Sequence, residues 1–395
     1  MKNNFTVIIV NDFDYIQGGA SKVAIETANA LYEKGVNVIF FSAVHKENNY
    51  PFKQVYTNQK ECLKNGVLGA LRGIYNQKVK KEFSRLLDEC DPEKTIIHVH
   101  GWTKALSSVI FKVAYKKKFK ITLTLHDYFT KCPNGGFYNY PKNEICTKYP
   151  MRLNCMVCNC DSRNYLFKIY RVIRQKVQNR NMKNLTNFIS ISNFSISKLK
   201  PYLPATAKIN KINNPIDISK QKIINIKAND TYLYVGRLSP EKGVDIFCEA
   251  ITDLNKKGIV VGDGSLYNDL KKRYPNIEFA GWQTKENVTK YMRKAKCLIF
   301  PSLWYECSPL TILEAQAIGL PCITSDSCAG IEFIKSKNMI FESKNIEDLK
   351  KKINKFEKSN YLQYSQKIYK QYWNNPYDEQ SYVEKLIKYY KKIMR

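Results

Sequence analysis

Short continuous apolar runs, each followed by turn residues and then by apolar positions at helical spacing, recur along the whole chain. Residues 5–10 form such a run and predict a buried strand. Gly18-Gly19-Ala20 follows as a turn, and Val23, Ile25, Ala28 and Leu31 share one face of a predicted helix over 21–33. A second strand is expected at 36–43. Strand, glycine turn, helix, strand is the opening of an α/β unit with a parallel sheet. The same order continues with a helix over 67–89 and a strand at 95–99 that runs into His98-Val99-His100. A helix over 104–115 and a strand at 121–125, ending in His126-Asp127, come next. Residues 164–184 predict a basic amphipathic helix with Leu166, Ile169, Tyr170, Ile173 and Val177 on one face. A strand at 188–192 and a helix over 195–202 complete this half.

After Asn213-Asn214-Pro215-Ile216-Asp217 and a polar linker at 220–230, the pattern restarts. A strand at 231–235 leads into Gly236-Arg237-Leu238, and Glu241-Lys242-Gly243 precedes a helix over 244–254. A strand at 259–261 ends in Gly262-Asp263-Gly264, and another ends in Gly281-Trp282. The chain closes with an amphipathic, tyrosine-rich helix over 379–394. Two mostly parallel α/β domains joined by one linker imply a deep cleft between them. In such sheets the carboxyl ends of the strands carry the site, which makes His126 and Asp127 usefully placed. His98 and His100 are read either as site residues or as structural groups bonding backbone under a loop.

One stretch, 304–315, organises the second half. It follows the apolar run Cys297-Leu298-Ile299-Phe300-Pro301 and changes after Ser308-Pro309 to helix formers from Leu310, closed by Gly319 and Pro321. Glu306 falls in the loop and Glu314 within the helix. The free N–H groups at that helix start favour an anion, so both carboxylates can face a ligand there.

Composition narrows the class. The chain has 395 residues, 44% of them hydrophobic, enough for two or three domains with real cores. A formal charge of +29 attracts anionic substrates, polyanions or an anionic membrane surface. The basic residues are spread along the chain with no nucleic-acid module, so nucleic acid is not expected as a partner. No apolar window is long enough to span a bilayer, and the first apolar run is too short for a signal peptide, which predicts a cytoplasmic protein resting on a membrane. Of twelve cysteines, Cys132, Cys146, Cys155, Cys158 and Cys160 cluster. Cys155 and Cys158 have the spacing of half a thiolate metal site, with Cys132 and Cys146 as the other half, so a structural zinc is expected; reduced structural cysteines are the alternative.

With Arg237, Lys242, Glu306 and Glu314 in this order, together with Gly262-Asp263-Gly264, the chain resembles the retaining glycosyltransferases of family 4. The resemblance implies the GT-B architecture: α/β, with two Rossmann-like domains facing across a cleft. It places an acceptor-side domain at 1–217, containing the cysteine-rich loop 132–160 and the basic helix 164–184. A nucleotide-sugar-binding domain follows at 218–377, and the helix at 378–395 returns to the first domain. It also implies that Arg237 and Lys242 bind the donor diphosphate, Glu306 the transferred sugar and Glu314 the ribose hydroxyls. His126 would bond the donor sugar near its reacting carbon, and Gly18 and Gly19 would lie against the phosphates or the acceptor. Gly264, Leu310 and Thr311 fall on the donor side, and Gly281 near the base. In this chain Cys307-Ser308-Pro309 stands where many members have Gly-Phe-Gly, so Pro309 fixes the backbone and removes one N–H there.

The implied reaction is a retaining, metal-independent transfer of a hexose or N-acetylhexosamine from a nucleotide sugar, UDP-linked, to a lipid-linked glycan. The setting is the synthesis of bacterial capsule, exopolysaccharide or lipopolysaccharide on the inner face of the plasma membrane. A nucleotide-sugar epimerase of the same architecture and a non-enzymatic polyanion-binding protein are the alternatives.

Overall fold

The computed structural model describes residues 4–395. Its first lobe holds β1 (Thr6–Phe13), α1 (Gly19–Glu33), β2 (Asn37–Val44), β3 (Lys53–Tyr56), α2 (Gly66–Ile74) and α3 (Gln77–Asp88). It continues with β4 (Thr95–Val99), α4 (Val109–Lys116), β5 (Lys120–Leu125), the small hairpin β6 (Tyr138–Asn139) and β7 (Glu144–Ile145), and α5 (Leu153–Met156). The basic helix α6 (Tyr165–Asn181), β8 (Asn187–Ser190), α7 (Asn193–Leu199) and β9 (Lys208–Lys211) complete it. The second lobe runs β10 (Thr231–Val235), α8 (Val244–Asp253), β11 (Lys257–Val261), α9 (Tyr267–Arg273), β12 (Ile277–Gly281) and α10 (Lys285–Lys294). Then come β13 (Ala295–Phe300), α11 (Leu310–Ala317), β14 (Cys322–Ser325), β15 (Ile340–Phe341), α12 (Ile346–Glu357), α13 (Tyr361–Asn374) and α14 (Glu379–Met394).

Each lobe is a parallel sheet between helices, ordered β3-β2-β1-β4-β5-β8-β9 in the first and β12-β11-β10-β13-β14-β15 in the second. The central strands are apolar on both faces because helices cover both sides. Val7, Ile8, Ile9 and Val10 of β1 are all fully buried, and so are Leu298 and Ile299 of β13. Strand order reverses between β1 and β4, and again between β10 and β13. At such switch points the connecting helices diverge and leave a crevice at the carboxyl ends.

The final helix joins the lobes. After α13 on the second lobe, α14 lies along α1, where the Tyr382 hydroxyl is 2.7 Å from that of Thr27. The fully buried Tyr390 hydroxyl lies 2.6 Å from His98 Nδ1. His98 is therefore held by side chains, Tyr390 and Thr124, and not by loop backbone.

Two elements differ from the sequence expectation, and in a third the structure decides what the sequence left open. The helix predicted over 67–89 is two helices, because Tyr75 is extended and the buried Asn76 caps α3, accepting from Val79 N at 3.2 Å. The helix predicted from 104 starts at Val109. Residues before it are pinned to β1 by the Asp12 carboxylate, which accepts from the N–H groups of Lys104, Ala105 and Leu106 at 2.8–3.0 Å. Burial pushes the Asp12 carboxyl up, and these backbone donors oppose that shift.

The third is the face of α6, which the sequence left open. Leu166, Ile169 and Ile173 are exposed, while Lys168, Arg174, Gln175 and Gln178 are buried. The inward polar groups are satisfied by loop carbonyls: Arg174 donates to Pro133 O at 3.2 Å, Gln175 to Thr130 O at 3.2 Å and Gln178 to Phe129 O at 2.7 Å. Hydrogen bonds to those loops, not apolar burial, set the rotation of this helix.

Candidate active site

The second lobe's crevice is built by three connections that converge. Gly236 follows β10, the turn at 240–242 precedes α8, and Pro301 and Ser302 follow β13. Gly243, at φ 65°, closes the second turn so tightly that a Cβ there would sit 2.1 Å from Pro301 O. Gly264 is needed for a similar reason, since its Cβ would meet Leu238 O at 2.3 Å. These close approaches fix where Lys242 points.

Lys242 and Glu306 form an ion pair, each side chain less than one-fifth exposed. The Trp304 indole N–H donates to the same Glu306 oxygen at 2.9 Å, and the Lys242 ammonium lies 4.9 Å from the Trp304 ring centre. Lys242, Glu306, Leu310 and Thr311 line a cavity of about 190 Å³ together with Gly236 and Pro301. The N-terminus of α11 opens into it, so unpaired N–H groups, an ammonium and a carboxylate face one space.

A second cavity of about 230 Å³ adjoins it, sharing Val235. Its lining includes Glu314 from α11, Gln283 and Lys285 from the segment after β12, and Lys22 from α1 of the first lobe. Burial raises the Glu314 carboxyl, against the pull of Lys22 and Lys285. Gly281, at φ 68°, ends β12 just before this wall. Gly18 and Gly19 start α1 a turn before Lys22, and a Cβ on either would meet nothing within 4 Å. The protein's own packing does not demand glycine there, and the space in front of both is open.

The loop carrying Glu306 is anchored in the opposite lobe. Cys307 is buried among first-lobe core residues, with Tyr305 against Tyr128 and Phe194. Lys198 caps Tyr305 at 4.7 Å. Burial drives the Cys307 thiol far up, so this cysteine is a hydrophobic plug and not a nucleophile. The departure at 307–309 thus has a structural cause: the loop docks across the cleft, and Pro309 starts α11, its carbonyl accepting from Ile312 N at 3.1 Å.

On the first-lobe side, β4 and β5 end in an imidazole pair, His100 Nδ1 lying 2.9 Å from His126 Nε2. Burial lowers His126 to about 4 and holds His100 well below its ordinary value, so both are neutral at physiological pH. His100 Nε2 is buried without a partner. A proton there would be an unpaired buried N–H, so the favoured tautomer carries it on Nδ1 and donates to His126 Nε2. His126 then keeps its own proton on Nδ1. Beside it, burial pushes the Asp127 carboxyl up to about 6.

Arg237 stands apart from the Lys242 cavity. Its guanidinium is paired with Glu241 at 2.7 Å and its side chain is 60% exposed. Sequence reasoning missed Trp304, Lys22 and Gln283 as site-lining residues. Trp304 was within reach, being two residues before Glu306; Lys22 was not, because nothing local says which face of α1 meets the other lobe.

The expected zinc site at Cys132, Cys146, Cys155 and Cys158 is not present: among the described residues no group of three or more ligating side chains is arranged to hold a metal. All five clustered cysteines are free thiols. The charge near them is supplied by Lys168, whose ammonium lies 3.3 Å from Cys160 Sγ and 3.9 Å from Cys155 Sγ. Burial raises the Cys132 and Cys146 thiols, which opposes the thiolate form that metal binding needs.

Residues 216–375 match the family model described as glycosyl transferases group 1. Over 145 residues the chain is 34% identical to the Escherichia coli UDP-Gal:alpha-D-GlcNAc-diphosphoundecaprenol alpha-1,3-galactosyltransferase, covering 30% of this chain and 37% of that enzyme. It is 25% identical over 81% of its length to 84% of an uncharacterized 42.6 kDa protein of the Klebsiella pneumoniae cps region. Among solved structures, sucrose-phosphate synthase from Thermosynechococcus elongatus superposes with a TM-score of 0.71 at 14% identity, over 98% of this chain and 99% of that one. Anabaena Alr3699/HepE in complex with UDP and glucose gives 0.68 at 15% identity, over 98% and 100%. A group 1 glycosyl transferase domain over the second lobe, in a chain whose two Rossmann-like lobes superpose on solved GT-B structures along nearly their whole length, makes this protein a glycosyltransferase of GT-B fold.

Proposed function

We propose that the protein transfers a hexose or N-acetylhexosamine, with retention, from a UDP-linked sugar to a lipid-linked glycan in bacterial surface-polysaccharide synthesis. The observation that carries this reading is the Lys242–Glu306 pair at the mouth of α11. As the glycosidic bond breaks, charge develops on the diphosphate, and a fixed ammonium beside free helix N–H groups stabilises it. Arg237 joins by exchanging its Glu241 partner for phosphate oxygens. Glu306 then accepts from hydroxyls of the transferred sugar, and Glu314 accepts from both ribose hydroxyls. His126 donates its Nδ1 proton to a sugar oxygen, and the open space over Gly18 and Gly19 receives phosphate or acceptor. The uridine and the lipid diphosphate acceptor are supported by the name of the E. coli relative, which states both. Such an acceptor places the reaction at the inner face of the plasma membrane.

A panel of labelled nucleotide sugars, assayed for hydrolysis and then with lipid-linked acceptors, tests the reading. UDP-sugars are expected to turn over and the product to keep the donor's anomeric configuration. Undiminished turnover after Glu306→Ala would sink it.

A further inference from the structure

The outward face of α6 reads as one stripe. Stepping by three and four from Arg163, two residues ahead of the helix, it presents Leu166, Ile169, Ile173, Lys176 and Arg180, an apolar centre flanked by cations. Leu166 is 75% exposed. Next to it lies α2, which is turned the same way for a different reason. Its inner face is glycine: a Cβ on Gly69 would strike Cys62 O at 2.0 Å, and one on Gly73 the Tyr170 hydroxyl of α6 at 2.0 Å. That contact admits only glycine and leaves Val67 and Leu68 outside, 78% and 74% exposed. Eight of the sixteen large apolar side chains exposed among the described residues fall on α2, α6 and the short helix α5 that touches α6, and Val157, directly after α5, is a ninth. Neither helix can roll to hide these residues, because one is held by its inward hydrogen bonds and the other by its glycines.

We propose that α2 and α6 together form a docking face for an anionic lipid bilayer, entering the headgroup layer with Val67, Leu68, Leu166 and Ile169 while Arg163, Lys176 and Arg180 meet lipid phosphates. Charge selects this occupant. No Asp or Glu lies between Glu61 and Glu82, or between Asp161 and Asp217. A second copy of the chain would bring cations against cations around the apolar centre, whereas a bilayer offers an apolar interior under negative charge. The patch also sits behind the site. On its inner side α6 holds the carbonyls of Phe129, Thr130 and Pro133, just after His126, so the docked face and the first-lobe site loop share one helix. The inference deepens the proposed function by naming the surface that meets the lipid of its acceptor, and it rests on that reading only for this last point.

The test is sedimentation of the full chain with phosphatidylglycerol vesicles and with phosphatidylcholine vesicles, alongside hydrolysis of a soluble UDP-sugar and light scattering. Wild-type protein is expected on the anionic vesicles. The pair Leu68→Ser with Leu166→Ser, and separately Lys176→Glu with Arg180→Glu, are expected to weaken that binding about tenfold or more, with donor hydrolysis unchanged. The proposal is overturned if wild-type protein stays in the supernatant, or if both pairs bind like wild type. It is equally overturned if wild-type protein is a dimer that the Leu pair converts to monomers. Vesicle binding in a protein that turns over no nucleotide sugar would leave the docking face standing and remove the catalytic reading instead.

Discussion

His100 Nδ1 and His126 Nε2 are 2.9 Å apart, from the ends of adjacent strands β4 and β5. Because the other nitrogen of His100 has no partner, this bond decides which nitrogen of His126 carries the proton. In the proposed reaction His100 is thus a positioning residue, acting through His126. His100→Asn is expected to lower kcat about tenfold with KM for the donor nearly unchanged, while His100→Gln and His100→Ala lose more, since the Asn amide nitrogen, bonded to Cγ as Nδ1 is, keeps a donor near that position. A uniform loss across all three, or a change confined to KM, would contradict this role.

Acid stability follows from the same cluster. His98, at about 3, and His126, at about 4, are both held below the ordinary value of 6.5 by burial, and His100 is lowered too. Between pH 6.5 and 4 the unfolded chain binds protons that the folded chain refuses, so stability rises with pH and is lost as pH falls through this window. Each such imidazole contributes a slope of up to about 1.4 kcal/mol per pH unit. Urea unfolding at pH 7 and pH 5 should show the steeper loss in wild-type protein, and a shallower one after His98→Gln.

Replacing Lys242 or Glu306 with Ala leaves the other as an unpaired, mostly buried charge. Each change is expected to cut turnover at least about tenfold, because in the proposed reaction the ammonium faces the charge that grows on the leaving diphosphate. Arg237→Ala is also expected to lose about tenfold, with a larger share in KM because Arg237 is exposed and must move to reach the donor. Circular dichroism of the variants should match that of wild type.

Gly243→Ala is a structural test of the same site. A Cβ 2.1 Å from Pro301 O, on a residue at φ 65°, forces the turn before α8 open. Loss of about 2 kcal/mol or more is expected by denaturant unfolding, with donor binding reduced as Lys242 shifts.

The cysteine loop should be indifferent to metal. Dialysis against a chelator is expected to leave the melting temperature unchanged, and elemental analysis should find only substoichiometric zinc. Lys168→Met is expected to disturb this loop more than Cys158→Ser, since the ammonium is buried against two thiols and Cys158 is half-buried. A bound equivalent of zinc would reverse the assignment.

Much of the architecture was legible locally. Parallel strands covered on both faces need unbroken apolar runs, so β1, β5, β10 and β13 stand out from periodicity alone, and their ends mark the polar loops. The turn before Lys242 and the pair Glu306 and Glu314 follow from local chemistry too, since glycines, a proline and a helix start sit at fixed offsets. Local pattern failed wherever a side chain's partner was distant in sequence. Nothing near Tyr390 names His98, and nothing near Cys307 says that it plugs the other lobe. The cysteine spacing suggested a metal because Lys168, the cation actually present, lies on a separate helix.

The helix α6 draws that boundary most sharply. Its sequence determined that it is helical, amphipathic and basic, because those properties depend on residues three and four apart. Which face turns inward was decided by the carbonyls of Phe129, Thr130 and Pro133, left unpaired by a loop after β5 and satisfied by Arg174, Gln175 and Gln178. Burying a polar backbone group without a partner costs more than leaving a leucine in water, so the tertiary structure turned the apolar stripe outward.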